Sequence, residues 1–300
     1  MTNAGQGSSR AAKAEEIRQL VDASLDRLAS ALDEGQSDEL QRFLAAMGRF
    51  HRYSFQNVML ILNQRPDATR VAGFQTWKKL GRSVTKGEKG IAIFAPMLIN
   101  NRDKGNEHKG ETDQPDKVLR FRVVHVFDVA QTEGEPLPEP ARATGDPGEA
   151  MVRLEAAVRA RGIELAEADD LGGADGVSRG GRIELQAGLD DATRFGVLVH
   201  EFAHELLHHV KGEERPTKCV RETEAEAVAF IVCEATGLEA RGSAVDYIQL
   251  YQGDRETLTA SLTRIQKTAT EIIDAIEGEA IGLATQQTIA VANANREQTR

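Results

Sequence analysis

Cysteine, aromatic residues and long apolar runs are all scarce in this chain of 300 residues. Its two cysteines, Cys219 and Cys233, do not make a disulfide framework. Both fall in or beside one predicted helix, where a small thiol packs as an apolar side chain. Aromatic residues make up 5% of the chain, with one tryptophan, Trp77. No apolar run approaches the ~20 residues that span a bilayer, so no membrane partner is expected. Met1 to Arg10 is small and polar and lacks the apolar stretch of a secretory signal, which predicts a cytoplasmic protein. Proline is rare outside one place. Pro136, Pro138, Pro140 and Pro147, half of the eight, lie between Thr132 and Gly148.

What is present is an ordinary soluble composition, 40% apolar and 28% charged. The net charge of −10 is unevenly spread. Between Arg42 and Pro96 ten Lys or Arg residues face only Asp67 and Glu88, whereas acids outnumber bases 31 to 17 over residues 131–300. A basic segment on an acidic protein is the footprint of a polyanion partner or of a plain solvated face.

Periodicity predicts an α+β architecture in two domains. Residues 1–10 read as a disordered tail. Residues 11–131 form the first domain: helices over Ala11–Leu32, Ser37 to about Met47 with Ser37 as N-cap, Ser54 to Pro66 and Gly73–Leu80, then a small antiparallel sheet from Ile91–Met97 and Val118–Val129. Asn100 to Asp116 reads as a long hairpin loop or a partly disordered stretch. The Pro/Gly-rich stretch 132–148 is a linker. Residues 149–277 form a mainly helical domain with a short sheet: helix Glu149–Arg161, strands at Ile163–Leu165 and Arg182–Leu185, helices Asp191–Lys211 and Arg221–Thr236, and two more over residues 244–276. Residues 278–300 read as a frayed tail.

The run His200-Glu201-Phe202-Ala203-His204 lies in the apolar helical stretch from Val197 to Val210. It reads HExxH. Positions i and i+4 share a helix face, so both imidazoles can hold one metal ion, with Glu201 placed as general base. His208 lies about 12 Å along the axis from His200, too far for a third ~2 Å bond from the same straight helix. Leu207 and Val210 occupy the positions where other zinc peptidases carry a glycine and a third histidine. The third ligand is therefore sought on the next helix. Glu222 and Glu226 share a face there, and Glu224 points elsewhere. Glu222 is the favoured ligand, and Glu226 is the hydrogen-bonding support or the alternative ligand. Zinc is the expected ion, with another divalent metal as the alternative. Arg182–Leu185 is a candidate edge strand for an extended peptide, and Tyr247 and Tyr251 are candidate oxyanion donors.

The segment Phe50-His51-Arg52-Tyr53-Ser54-Phe55-Gln56-Asn57 interleaves aromatic, basic and amide side chains. Phe74, Trp77, Lys78, Lys79, Arg82, Lys86 and Lys89 continue it. Basic grooves with stacking faces bind single strands, so Arg52, Tyr53, Asn57, Trp77, Lys78, Arg82, Lys86 and Lys89 are the candidate DNA contacts.

Residues Phe50 to Pro96 closely resemble the single-stranded-DNA-binding N-terminal domain of the antirestriction protein ArdC family. Val126-Phe127-Asp128-Val129-Ala130-Gln131-Thr132 resembles the strand that closes that domain. The HEFAH helix and the Glu-rich helix after it resemble the accompanying zincin-like metallopeptidase domain, itself similar to the ImmA/IrrE type. Ala203 departs from the glycine often found before the second histidine. The resemblance implies His200, His204 and a glutamate of the following helix as metal ligands, Glu201 as the catalytic residue, single-stranded DNA as a partner and a role on mobile elements in protecting incoming DNA. Two other functions fit the residues: a DNA-binding module with a non-catalytic metal site, and a regulatory metalloprotease that cuts a repressor or another protein.

Overall fold

The computed structural model describes residues 4–35, 38–100, 117–137, 146–209, 215–238 and 254–278. Helix α1 (Ala4–Asp33) buries Ile17, Val21, Leu25, Leu28 and Leu32 at helical spacing. It begins inside the stretch expected to be disordered: residues 4–10, with two glycines and two serines, extend a helix whose stronger formers, Ala, Lys and Glu, lie over residues 11–16. Helix α2 (Asp38–Arg49) opens on Asp38 and Glu39, which suit the positive end of its dipole. The expected cap Ser37 lies outside the described residues. Helix α3 (Phe55–Gln64) is capped by Ser54, whose Oγ accepts from the Asn57 amide.

Strand β1 (Val71–Gly73), the one-and-a-half-turn α4 (Phe74–Lys79), β2 (Arg82–Val84), β3 (Ile91–Asn100) and β4 (Lys117–Asp128) follow. β4 is the centre of an antiparallel sheet ordered β1-β4-β3, with Ile91 opposite Val126. The outer edge of β3 is bound by two amides of α3. Asn57 accepts from the Phe94 N–H and donates to its carbonyl, both at 2.9 Å. Gln64 does the same for Ala92, at 2.8 and 2.9 Å. Phe94 and Ala92 are two apart and so present the same strand edge.

The stretch Val126 to Thr132 is a polar hub. Asp128 accepts from the backbone amides of Thr69, Arg70 and Ala130, and Gln131 closes a capping box with it. Thr132–Gly134 is not linker but strand β5, paired antiparallel with β2. The rest of the expected linker that bears Pro138 and Pro140 lies outside the described residues, as does the expected loop over residues 101–116.

Helix α5 (Gly148–Ala160) leads into β6 (Glu164–Ala168), β7 (Gly176–Ser178) and β8 (Arg182–Gln186). The sheet order is β6-β8-β7, with β6 parallel and β7 antiparallel to β8. Strand β8 is thus central, and the edge it was expected to offer belongs to β7. Helices α6 (Asp191–His208), α7 (Lys218–Thr236) and α8 (Arg255–Glu277) complete the fold. Where two helices were expected over residues 244–276, the described part holds one, since the segment before Asp254 is outside it. Asp190 caps α6, Thr217 caps α7, and Gly237 ends α7 at φ 75°, the left-handed conformation that costs glycine least. Among the described residues no helix is long and apolar enough to cross a membrane.

α7 is buried on nearly every side, with Val220, Ala225, Ala227, Val228, Ile231 and Val232 at 4% exposure or less. α6 and α8 cover part of it, and α2 of the first domain covers more. A Cβ on Gly48 of α2 would sit 2.8 Å from the Ile231 carbonyl oxygen, so the two helices meet almost backbone to backbone. The proline-rich stretch therefore does not separate two independent cores; one apolar cluster runs through both parts.

Candidate metal centre and basic cleft

Phe195, Leu198, Val199 and Phe202 are fully buried and pin one face of α6 to the core. His200 and His204 then project from the face that meets α7. The helices run antiparallel, so Glu226 meets His200 and Glu222 sits between both histidines. His200 Nε2 and His204 Nε2 are 3.1 Å apart, and Glu222 Oε2 is 3.5 and 3.4 Å from them. Ligand atoms held ~2.1 Å from one tetrahedral ion stand roughly 3.4 Å from each other. The donor set, two imidazoles and a carboxylate, therefore fits a divalent metal. Glu226 Oε2 lies 3.2 Å from His200 Nδ1, on the far side of the ring.

The electrostatics match that crowding. Burial lowers His200, but the hydrogen bonds it donates to Glu222 and Glu226 outweigh it and push its pKa up to about 9. Burial and the neighbouring His200 charge bring His204 down to about 4. The His200 hydrogen bond and both histidine charges hold Glu222 at about 2, against burial. Glu201 is 8% exposed, and burial raises its carboxyl above the usual range. Strand β7 lies directly on it. A Cβ on Gly176 would fall 2.6 Å from Val197 Cγ1 and 2.9 Å from Glu201 Cγ, so only glycine lets the strand come this close.

Two features were not read from the sequence. Glu205 accepts from the Gly180 and Gly181 amides at 2.8 and 2.7 Å and from Ser178 Oγ at 2.6 Å, tying the β7–β8 turn to α6. The other feature is a buried chain of contacts. His204 Nδ1 is 2.9 Å from His208 Nδ1, His208 Nε2 is 3.1 Å from Glu224 Oε2, and Arg264 donates to Glu224 Oε1. The sequence signal was available in part, since His208 is i+4 from His204 and Glu224 is the acid that points away from Glu222. Tyr247 and Tyr251 lie outside the described residues.

The candidate DNA contacts divide sharply. Trp77 is 2% exposed and donates to the Phe127 carbonyl at 2.9 Å, so neither ring face is open to a base. Asn57 is spent on β3. Arg82 is bound to Thr132 and to the Gly134 and Glu135 carbonyls. Arg52 pairs with Glu277 at 2.9 Å and Asp274 at 3.8 Å on α8. Tyr53 donates to the Val71 carbonyl, and burial pushes its pKa up to about 12. Lys78, Lys86 and Lys89 are exposed. Trp77, Asn57, Arg82 and Tyr53 each close a backbone valence of the domain and Arg52 meets carboxylates of α8, uses that composition cannot distinguish from a free contact, although Arg52, Tyr53 and Asn57 also line the cleft described next.

A cleft of about 900 Å³ opens between α1, the start of α3 and the β1-β4-β3 sheet. Arg18, Arg49, Arg70, Phe94, Phe121 and His125 are among its walls. Phe121 is 61% exposed, the most open aromatic ring among the described residues. Residues 12–127 match the family described as the N-terminal domain of anti-restriction factor ArdC. The match runs from helix α1 to strand β4. The fold likeness reaches further than the ArdC domain. Crystal structures of the antirestriction ArdC protein from plasmid R388 match 86% of this chain and nearly all of their own, 97% for the metal-free form and 98% for the Mn(II)-bound form. Their TM-scores are 0.50 and 0.52, at 17% and 18% identity, a likeness of fold. An uncharacterized Bacillus anthracis protein, pXO2-81, is 25% identical over 95% of this chain. The chain spans about half of that relative, 54% of its length.

Proposed function

We propose that this chain is an antirestriction-type protein that holds single-stranded DNA in the cleft of its ArdC domain and carries a hydrolytic metal centre of metallopeptidase type. The convergence of His200 Nε2, His204 Nε2 and Glu222 Oε2 beside a buried, intact Glu201 carries the second half. A non-catalytic metal site would have no use for a carboxyl desolvated at that position. Zinc suits two imidazoles and one carboxylate, although the R388 protein was crystallised with Mn(II).

His200, His204 and Glu222 would hold the ion, with Glu226 fixing the ring of His200. Bound there, a divalent cation supplies Lewis-acid activation of water and of a carbonyl group. Glu201 takes the proton from the water at a carboxylate oxygen and returns it to the leaving amine. Its raised pKa suits both steps, because a base nearer neutrality gives the proton back more readily. Edge strand β7 offers an extended polypeptide backbone hydrogen bonds next to Glu201. The test is cleavage of a mixed protein substrate by metal-loaded wild type and Glu201→Ala. The expected result is a loss of at least ~10²-fold in the variant; equal rates would remove the peptidase reading.

The cleft supports the DNA reading because it joins guanidinium groups to an open ring. Phe121→Ala should weaken binding of a labelled single-stranded oligonucleotide by roughly tenfold, the scale of one lost base stack. Affinity should fall steeply with salt for wild type. A duplex of the same sequence binding as well as the single strand, or an unchanged Phe121→Ala affinity, would count against this cleft.

A further inference from the structure

The chain His204–His208–Glu224–Arg264, buried at His208 and Glu224, is a polar arrangement that the metal reading leaves without a task. Glu224 is 0% exposed and His208 is 4% exposed. Burying a carboxylate and an imidazole this deeply costs several kcal/mol unless both are paired. The pairing here has one direction. Glu224 is an acceptor: Arg264 donates to its Oε1, and its Oε2 faces His208. The His208 nitrogen facing it, 3.1 Å away, must therefore carry the proton, which makes His208 an Nε2–H tautomer. In neutral His208 the Nδ1 is then a lone pair, and the His204 Nδ1 at 2.9 Å is the donor. With Nδ1 protonated, His204 keeps a lone pair on Nε2, the atom that faces His200 and Glu222. Neither nitrogen of His204 is left to choose.

We infer that His208 and Glu224 are positioning residues that lock His204 in its metal-ligating tautomer and aim its ring, with Arg264 anchoring the far end. The inference rests on the metal centre proposed above and adds a second layer to it: Glu226 orients His200, and the His208–Glu224 pair orients His204. α7 thus supplies an acid to each histidine, on opposite faces, in addition to Glu222. Partners of this kind typically set metal affinity by about 10- to 100-fold.

The test uses the full chain and reads zinc affinity by competition with a chromophoric chelator, alongside thermal melting. Glu224→Gln and His208→Ala should each lose about tenfold or more in affinity while keeping a cooperative melt. Arg264→Lys, which keeps a cation for Glu224, should stay nearer to wild type than Arg264→Ala. Affinity unchanged in folded Glu224→Gln and His208→Ala would overturn the inference. Should neither variant fold, [15N]histidine spectra of the metal-free wild type decide: His204 protonated at Nδ1 and His208 at Nε2 support it, and the reverse pattern overturns it. A His204→Ala chain that binds zinc as tightly as wild type would remove the metal centre itself. Loss in His204→Ala with no loss in Glu224→Gln removes only the positioning role.

Discussion

His200, Glu201, His204 and Glu222 are shifted by burial and by one another, and the shifts set how a cation competes with protons. His200 keeps a proton up to about pH 9 in the metal-free protein, while Glu222 has lost its own above about 2. Binding a cation at neutral pH must therefore release one proton from His200. Zinc affinity should rise about tenfold per unit of pH as the solution is made more basic, and level off above about 9. A flat profile, measured by isothermal titration in buffers of different ionisation enthalpy, would contradict this protonation pattern. The metal-free fold carries the same signs. The Glu222 contribution is present above the ordinary carboxylate range and lost as pH falls towards 2, and that of His200 is lost as pH rises through about 9. Glu222→Ala should abolish tight zinc binding, whereas Glu226→Ala should weaken it by about tenfold; the opposite order would exchange their roles. Helical periodicity made the separation of Glu222 and Glu226 from Glu224 legible in advance. The use of Glu224 was not legible, because it depends on how α7 is rotated against α6 and α8. Trp77 and Asn57 show the converse limit: an aromatic ring or an amide in a basic segment reads alike whether it meets a base or the carbonyl of Phe127 or Phe94.

At the level of elements, the approach of β7 to α6 is set by one missing side chain. Gly176→Ala places a methyl group within 3 Å of Val197 and Glu201. The strand must retreat or Glu201 must turn away. The expected outcome is destabilisation of about 1–3 kcal/mol by overpacking, read as a lower melting temperature, together with a fall in hydrolysis out of proportion to the unfolded fraction. Hydrolysis at the wild-type rate would show that the position of Glu201 does not depend on β7. The boundaries of most elements followed from apolar period and capping residues, as at Ser54 and Gly237. The strand pairing did not. Arg182–Leu185 alternates as an edge strand would, yet β6 and β7 take both of its sides. Residues Thr132–Gly134 read as the start of a linker because Glu, Gly and nearby Pro favour loops, but partnership with β2 overrides that local tendency.

For the molecule as a whole, charge and apolar surface are distributed by different rules. The basic excess and the cleft lie in the part that matches the ArdC N-terminal domain, and the candidate metal centre lies on α6 and α7. The apolar core ignores that division. The corner between α2 and α3 is shared most closely. Phe50, His51, Arg52 and Tyr53 line the cleft. On the other side, the His51 carbonyl accepts from Gln266 and Thr270 of α8 at 2.9 and 2.6 Å, and Arg52 reaches Glu277 and Asp274. The cleft was not legible in the sequence, because its walls come from residues as far apart as Arg18 and His125 and exist only once the sheet is formed.

The seating of α2 on α7, with Gly48 against the Ile231 carbonyl, bears on what a break in the backbone would do. A chain opened between Gly134 and Gly148 should behave as a split protein. Its two polypeptides, expressed separately, should be poorly soluble alone and should reassemble when mixed, eluting together and recovering the metal affinity of the unbroken chain. Two fragments that each melt cooperatively on their own would show that α2 and α7 do not need each other. Continuity of the polypeptide is thus secondary here to continuity of the core, and half of this protein is not a smaller protein.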